Sequence, residues 1–395
     1  MDGRHDGKAV RMEIAQSLGF LDHFSGLDDP RQSGKVLYPL DEIMLLVLCA
    51  EVAGAEGFAD IALWGETHLE FLRRFLPFRG GIPSHDALND LFNALDHEVF
   101  RDCFVAWAES LRASAPELDG PEVVAIDGKT SRRSGNASRG RTALHMVSAW
   151  ASARRLVLGQ EAIDDKENEI VAIPRLLEML ELKGALVTID AMGCQKAIAA
   201  KIHEKKADYL LPVKDNQPSL KSDIDLFFTE QRACGFAHAK AFFHQTVDND
   251  HGRIEIRRHW STADIAWLKE RHNWTALASI GLIEREVERN CKIEITRHYY
   301  ISSLAADAVL LARAARTHWH VENCLHWVLD VVFHDDLCRL RTGNGPQNFA
   351  VVRHIALNLI KLARGKLGLR RTRKKAGWSP EFLETVIRAQ PTLVH

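Results

Sequence analysis

Asp127, Asp190 and Glu322 are the residues of this chain whose types and settings suit chemistry. Each aspartate closes a short apolar run and is followed by a glycine: Val123-Val124-Ala125-Ile126-Asp127-Gly128 and Ala185-Leu186-Val187-Thr188-Ile189-Asp190-Ala191-Met192-Gly193. A short apolar run bounded by turn signals reads as a strand buried on both faces. Two such strands in one sheet would carry both carboxylates to a common edge, with Gly128 letting the backbone turn sharply after the first. Glu322 stands within His318-Trp319-His320-Val321-Glu322-Asn323-Cys324-Leu325-His326-Trp327. His318, Glu322, His326 and Leu329 fall on one helical face. An acid in so apolar a helix is costly unless it is paired or holds a metal. Three carboxylates close to Lys and Arg point to divalent cations and phosphate esters. The ordinary role of a lone aspartate after a strand is a turn former or helix N-cap, so the fold must decide whether the three meet.

The basic residues are unevenly placed. Lys129, Arg132, Arg133, Arg139 and Arg141 follow Asp127, and eight basic residues with no acid run from Lys361 to Lys375, among them Arg370, Arg371 and Arg373. A formal charge of -2 leaves bulk electrostatics silent, but patches like these act locally on a polyanion. Lys129, Arg132, Arg133, Lys361, Arg370, Arg371 and Arg373 are therefore expected to contact the phosphates of a polyanion; a solvated loop and an exposed tail are the plainer readings. For His318 and His326 the expectation is hydrogen-bonded helix histidines, since Mg²⁺ prefers oxygen ligands. For Trp319 and Trp327 it is core packing, with stacking on a base as the alternative.

The chain of 395 residues, 46% hydrophobic and 26% charged, is long enough for a large core. Its seven scattered cysteines include no C-x-x-C pair, which argues against a disulfide framework or structural zinc. The polar opening residues do not read as a signal peptide, and no apolar run near the start spans a bilayer. The expected setting is cytoplasmic, without a membrane partner.

Helical spacing dominates residues 1–115, with Ile43, Leu46, Val47 and Ala50 on one face and Ser84 as an N-cap. This block would suit a DNA-binding domain or a cap on the next domain. After the linker at 116–121 the pattern changes: three strands, then helix, strand, helix, strand through Asp208–Val213. That order is the layout of a ribonuclease H-like α/β core, an analogy at the level of fold. The expected organisation is an N-terminal helical domain (1–115), the first part of the core (116–218), a β-rich insertion (219–297), the second part with the acidic helix (298–365) and a basic tail (366–395).

Gly81-Ile82-Pro83-Ser84-His85-Asp86, Ala125-Ile126-Asp127-Gly128-Lys129, Asn168-Glu169-Ile170, Thr188-Ile189-Asp190, His251-Gly252-Arg253 and His318-Trp319 through Asp330 together resemble the DDE transposases of bacterial insertion sequences, in the branch of the H-repeat-associated proteins of Rhs elements. The resemblance implies an acid triad at Asp127, Asp190 and Glu322 holding two Mg²⁺ ions, with Mn²⁺ able to substitute. It also implies double-stranded DNA partners (element ends and target) and a homodimer on paired ends. The wider superfamily's Tyr, Arg and Lys around the third acid are replaced here by Ala315, His318 and Leu329, so those roles do not transfer. A metal-dependent nuclease without strand transfer and an inactive DNA-binding relic share the same features. A glycosidase pair of carboxylates would need sugar-stacking aromatics, where this chain has Lys, Arg and Ser.

Overall fold

The computed structural model describes residues 18–135, 142–164, 167–250, 253–289 and 292–391. Arg139, Arg141, His251, Gly252 and Cys291 lie outside them. Among the described residues six α-helices precede the sheet: α1 Gly19–Phe24, α2 Leu40–Ala53, α3 Phe58–Thr67, α4 Leu69–Leu72, α5 His85–Ala94 and α6 His97–Ser114. Ser84 Oγ caps α5 by accepting from the Ala87 N–H at 3.2 Å, and Asp96 caps α6. α2 departs from the one-faced reading. Leu45, Leu46, Val47, Cys49 and Ala50 are all fully buried, and a helix apolar all round belongs in an interior.

The strands β1 Val123–Thr130, β2 His145–Ala151, β3 Leu156–Ile163, β4 Leu186–Ile189 and β5 Asp208–Val213 alternate with helices α7 Glu169–Met179 and α8 Lys196–Glu204. β1, β2 and β3 form an antiparallel meander, while β4 and β5 run parallel to β1. The order 3-2-1-4-5, with helical crossovers, is the ribonuclease H-like arrangement. β4 is buried along its whole length, as a continuous apolar run in a parallel sheet should be.

Two helices, α9 Pro218–Ala233 and α10 Ala266–His272, accompany four long strands, β6 Ala241–Asp250, β7 Arg253–Thr262, β8 Ser279–Arg289 and β9 Lys292–Ser302. β9 pairs antiparallel with β5. The β-rich segment thus prolongs the central sheet to nine strands among the described residues.

α11 Ala308–His318 follows. A π turn at Glu322–His326 leads into α12 Trp327–Val331, and then come α13 Gly345–Ala363, α14 Leu369–Trp378 and α15 Pro380–Ile387. α13 is buried from Gly345 to Ile360 and packs on α2, α5, α6 and β3, so the N-terminal helices and the sheet share one hydrophobic core. The segment read as a basic tail instead forms α14 and α15, packed on α2. Gly377 in α14 approaches so closely that a Cβ there would stand 2.4 Å from the Ala53 carbonyl oxygen. No helix among the described residues is long and apolar enough to cross a membrane.

Candidate active site

β1 and β4 are parallel neighbours with Ile126 opposite Ile189, so Asp127 and Asp190 occupy matched positions one residue further on. Asp127 Oδ1 accepts from the Gly128 N–H at 3.0 Å. Asp190 Oδ1 accepts from the Gly193 N–H at 3.1 Å, in a turn where a Cβ on Gly193 would meet Ile189 Cγ2 at 2.3 Å. β1 does not turn away at Gly128. It continues to Thr130, paired with β2 throughout, which corrects the sharp bend expected there. Side chains alternate along a strand, so Asp127 and Lys129 share one face of β1.

The helical segment 308–331 covers that face. His318 Nδ1 lies 3.1 Å from Thr188 Oγ1 on β4. Two turns later His326 Nδ1 lies 3.1 Å from Glu322 Oε2 and 3.6 Å from Asp127 Oδ2. Asp127, Glu322 and His326 each offer a ligand atom, all within 4.8 Å of one another. Since carboxylates only accept, the His326 Nδ1–H donates to Glu322. Glu322 and His326 bound the π turn, the kind of local widening that recurs at functional sites. The Glu322 side chain is 68% exposed, so the cost of burying it, invoked from sequence, does not arise.

Burial lifts the Asp127 carboxyl to about 7; the Gly128 N–H opposes the rise, and the charges of Asp190, Glu169 and Glu322 add to it. Asp190 is raised in the same way, by burial and by Glu169, against the Gly193 N–H and Lys214. Burial lowers His326 despite Glu322, and takes His318 down to about 4. Among the described residues no lysine or arginine pairs with Asp127. In the sequence Glu169 stood only within Asn168-Glu169-Ile170, with no role attached to it.

Several cations expected on DNA are internal. Lys129 Nζ lies 2.6 Å from Asp330 Oδ1, 3.1 Å from Asp335 Oδ2 and 3.5 Å from Asp336 Oδ1. Burial works against its charge, but Asp335 and Asp330 hold its pKa above an ordinary lysine's. The second acid cluster, Asp330, Asp335 and Asp336, is thereby filled, and it fastens the acidic helix to β1. Lys361 donates to the Cys324 carbonyl at 2.8 Å beneath the Trp150 ring, and burial drives its pKa well below the usual value. Arg373 is buried and donates to the Glu51 carbonyl and carboxylate and to the Ala55 carbonyl. The periodicity of a helix explains this correction: within the basic run one side of α14 faces the core. Arg370 and Arg371 stay exposed. So does Arg132, whose Nε lies 3.3 Å from Asp336, and so does Arg133. Trp319 and Trp327 are 68% and 53% exposed, against the expectation of core packing.

Comparison with known proteins gives two family models: residues 21–108 match "DDE_Tnp_1-associated" and residues 118–359 match "Transposase DDE domain". The H repeat-associated putative transposase YhhI of Escherichia coli (strain K12) is 40% identical over 374 residues, 93% of this chain and 97% of that protein. Putative transposase YncI of Escherichia coli O157:H7 is 38% identical over 377 residues, 94% of each. A piggyBac transposase synaptic complex with hairpin DNA aligns over 97% of this chain and 80% of its own, at 11% identity and a TM-score of 0.40. With a sheet in the order 3-2-1-4-5 and near-full-length relatives at about two-fifths identity, the chain belongs to the transposase DDE domain family.

Proposed function

We propose that this transposase hydrolyses a phosphodiester at the end of a DNA element and then joins the freed 3′-hydroxyl to target DNA in the same site. The observation that carries this reading is the approach of Asp127, Glu322 and His326 to within 4.8 Å, with Asp190 in register on the next strand. The donor set fits a divalent ion. It is made of hard carboxylate oxygens, and among the described residues an aspartate lifted to about 7 beside other acids lacks a compensating cation. Asp127, Asp190 and Glu322 would hold two Mg²⁺, replaceable by Mn²⁺, which activate an attacking oxygen and stabilise a leaving one.

Asp127, between the other two acids, would be the residue placed to serve both ions. His326 fixes the Glu322 carboxylate through Nδ1 and fills the space beside Asp127. Lys129 holds the acidic helix on β1 through Asp330. Arg132, Arg133, Arg370 and Arg371 take the DNA backbone. Two copies act on paired ends, and sizing of the chain with and without end DNA reports that assembly.

Cleavage of cognate end DNA tests the reading. Asp127→Asn, Asp190→Asn and Glu322→Gln should each abolish it, and cleavage at the original rate by any of them removes that residue from the mechanism. Joined products separate a transposase from a nuclease, and DNA binding without Mg²⁺-dependent cleavage would identify a relic.

A further inference from the structure

We propose that Glu169 is a fourth carboxylate of this site, reaching it from the opposite side of the sheet across the bare α-carbon of Gly128. The proposal rests on the three-acid reading above and adds a residue to it. Gly128 is where the argument starts. Its φ is not among the positive values in the chain, and it lies inside a paired strand, so its backbone would suit any residue. Glycine inside a strand weakens it, and marks a place where another group must come close. Here that group is a carboxylate. A Cβ on Gly128 would stand 2.1 Å from Glu169 Oε1, 2.7 Å from Glu169 Cδ and 3.1 Å from His145 Nε2.

Glu169 opens α7, and its Oε1 is 2.8 Å from His145 Nε2, while His145 Nδ1 is 2.7 Å from Thr130 Oγ1. A carboxylate only accepts, so in the neutral ring Nε2–H donates to Glu169 and Nδ1 accepts from the Thr130 hydroxyl. One carboxylate oxygen is thus fixed by an oriented imidazole. Among the described residues the other, Oε2, has no hydrogen bond or ion pair. That is how a metal-binding carboxylate is commonly held: one oxygen anchored by its surroundings, the other left for the ion.

The ordinary role for Glu169 is a first-turn acid favoured by the helix dipole. That role accounts for neither the glycine nor the neighbours. A fourth negative charge beside Asp127 and Asp190 is unfavourable by itself, and its field is felt at both. A bound cation turns the repulsion into a ligand set.

Mn²⁺ titration of the full chain, followed by electron paramagnetic resonance, tests the proposal without depending on activity. Glu169→Gln should weaken Mn²⁺ binding roughly 10- to 100-fold with an unchanged melting temperature. Gly128→Ala, whose new methyl displaces the carboxylate, should move binding the same way. His145→Gln should do so less. Binding as in the unaltered chain by both Glu169→Gln and Gly128→Ala overturns the proposal. So does a fall in melting temperature with no change in Mn²⁺ affinity, which would assign Glu169 to helix packing. Asp127→Asn is the control: if it loses Mn²⁺ while Glu169→Gln does not, the three-acid reading stands and the fourth acid falls. If Asp127→Asn also binds normally, the underlying reading fails first.

Discussion

Two groups of three metal-compatible side chains lie on the same face of the sheet, and they have opposite characters. Asp330, Asp335 and Asp336 surround Lys129, and Asp335 also accepts from Arg353 at 2.6 Å and from Ser131. Burial pushes against the charge of Asp335, yet Arg353 and Lys129 outweigh it and hold that carboxyl below the usual range. Among the described residues Asp127, Glu322 and His326 have no such cation, and the Asp127 carboxyl is lifted to about 7. Acid clustering therefore does not identify a metal site. What separates these two clusters is whether the described residues supply the positive charge themselves.

The largest effects should come from breaking the compensated cluster. Arg353→Met leaves the Asp335 carboxylate, whose side chain is 4% exposed, without its main partner. Removing one member of a buried pair costs about 3–5 kcal/mol, and urea unfolding of the metal-free chain would read it. A midpoint unchanged from the unaltered chain would mean the network is not what joins α13 to the site. Asp127→Asn should do the reverse. It removes a charge held against burial and like charges, so stability should hold or rise while DNA cleavage is abolished. A variant that loses stability and activity together would place Asp127 in the structural class.

The pH dependence should also divide the two clusters. A carboxyl with a raised folded pKa binds its proton more tightly when folded. The unfolded chain releases that proton near pH 4 and the folded chain near 7, so stability falls as pH rises through this window. Asp127 should contribute that negative slope, and Asp127→Asn should flatten it. Asp335 is depressed when folded, so its contribution is present above about pH 4 and is lost as pH falls through the lower folded value. Melting temperatures of the metal-free chain between about pH 2 and 8 would show both signs. Saturating Mg²⁺ should cancel the Asp127 term, because bound metal stabilises only the folded state.

Much of this was readable beforehand, for local reasons. Apolar runs ending in Asp127 and Asp190 gave buried parallel strands, and the switch from helical to strand spacing after residue 121 located the core. What escaped depends on contacts between distant segments. Glu169 carried no role in the sequence because its other neighbour, Gly128, lies 41 residues earlier. The basic run from Lys361 to Lys375 reads as one patch until helical periodicity turns Arg373 inward. The carboxylates that hold Lys129, on Asp330 and Asp335, follow it by some two hundred residues.

That inward turn sets up the smallest effect and the finest test of the comparison, now among cations. Each phosphate contact contributes about 0.9 to the slope of log affinity against log salt. Arg370 and Arg371 are exposed on α14, whereas Lys129 and Arg373 already neutralise internal acids and carbonyls. Replacing Arg370 and Arg371 together by Gln should shallow the salt slope of DNA binding by roughly 2 without moving the melting temperature. Lys129→Gln and Arg373→Gln should lower the melting temperature and leave the slope as it was. If Lys129→Gln instead shallowed the slope at constant stability, its pairing with Asp330 would have to open when DNA arrives. The boundary between compensated and uncompensated charge would then be set by the ligand rather than by the fold.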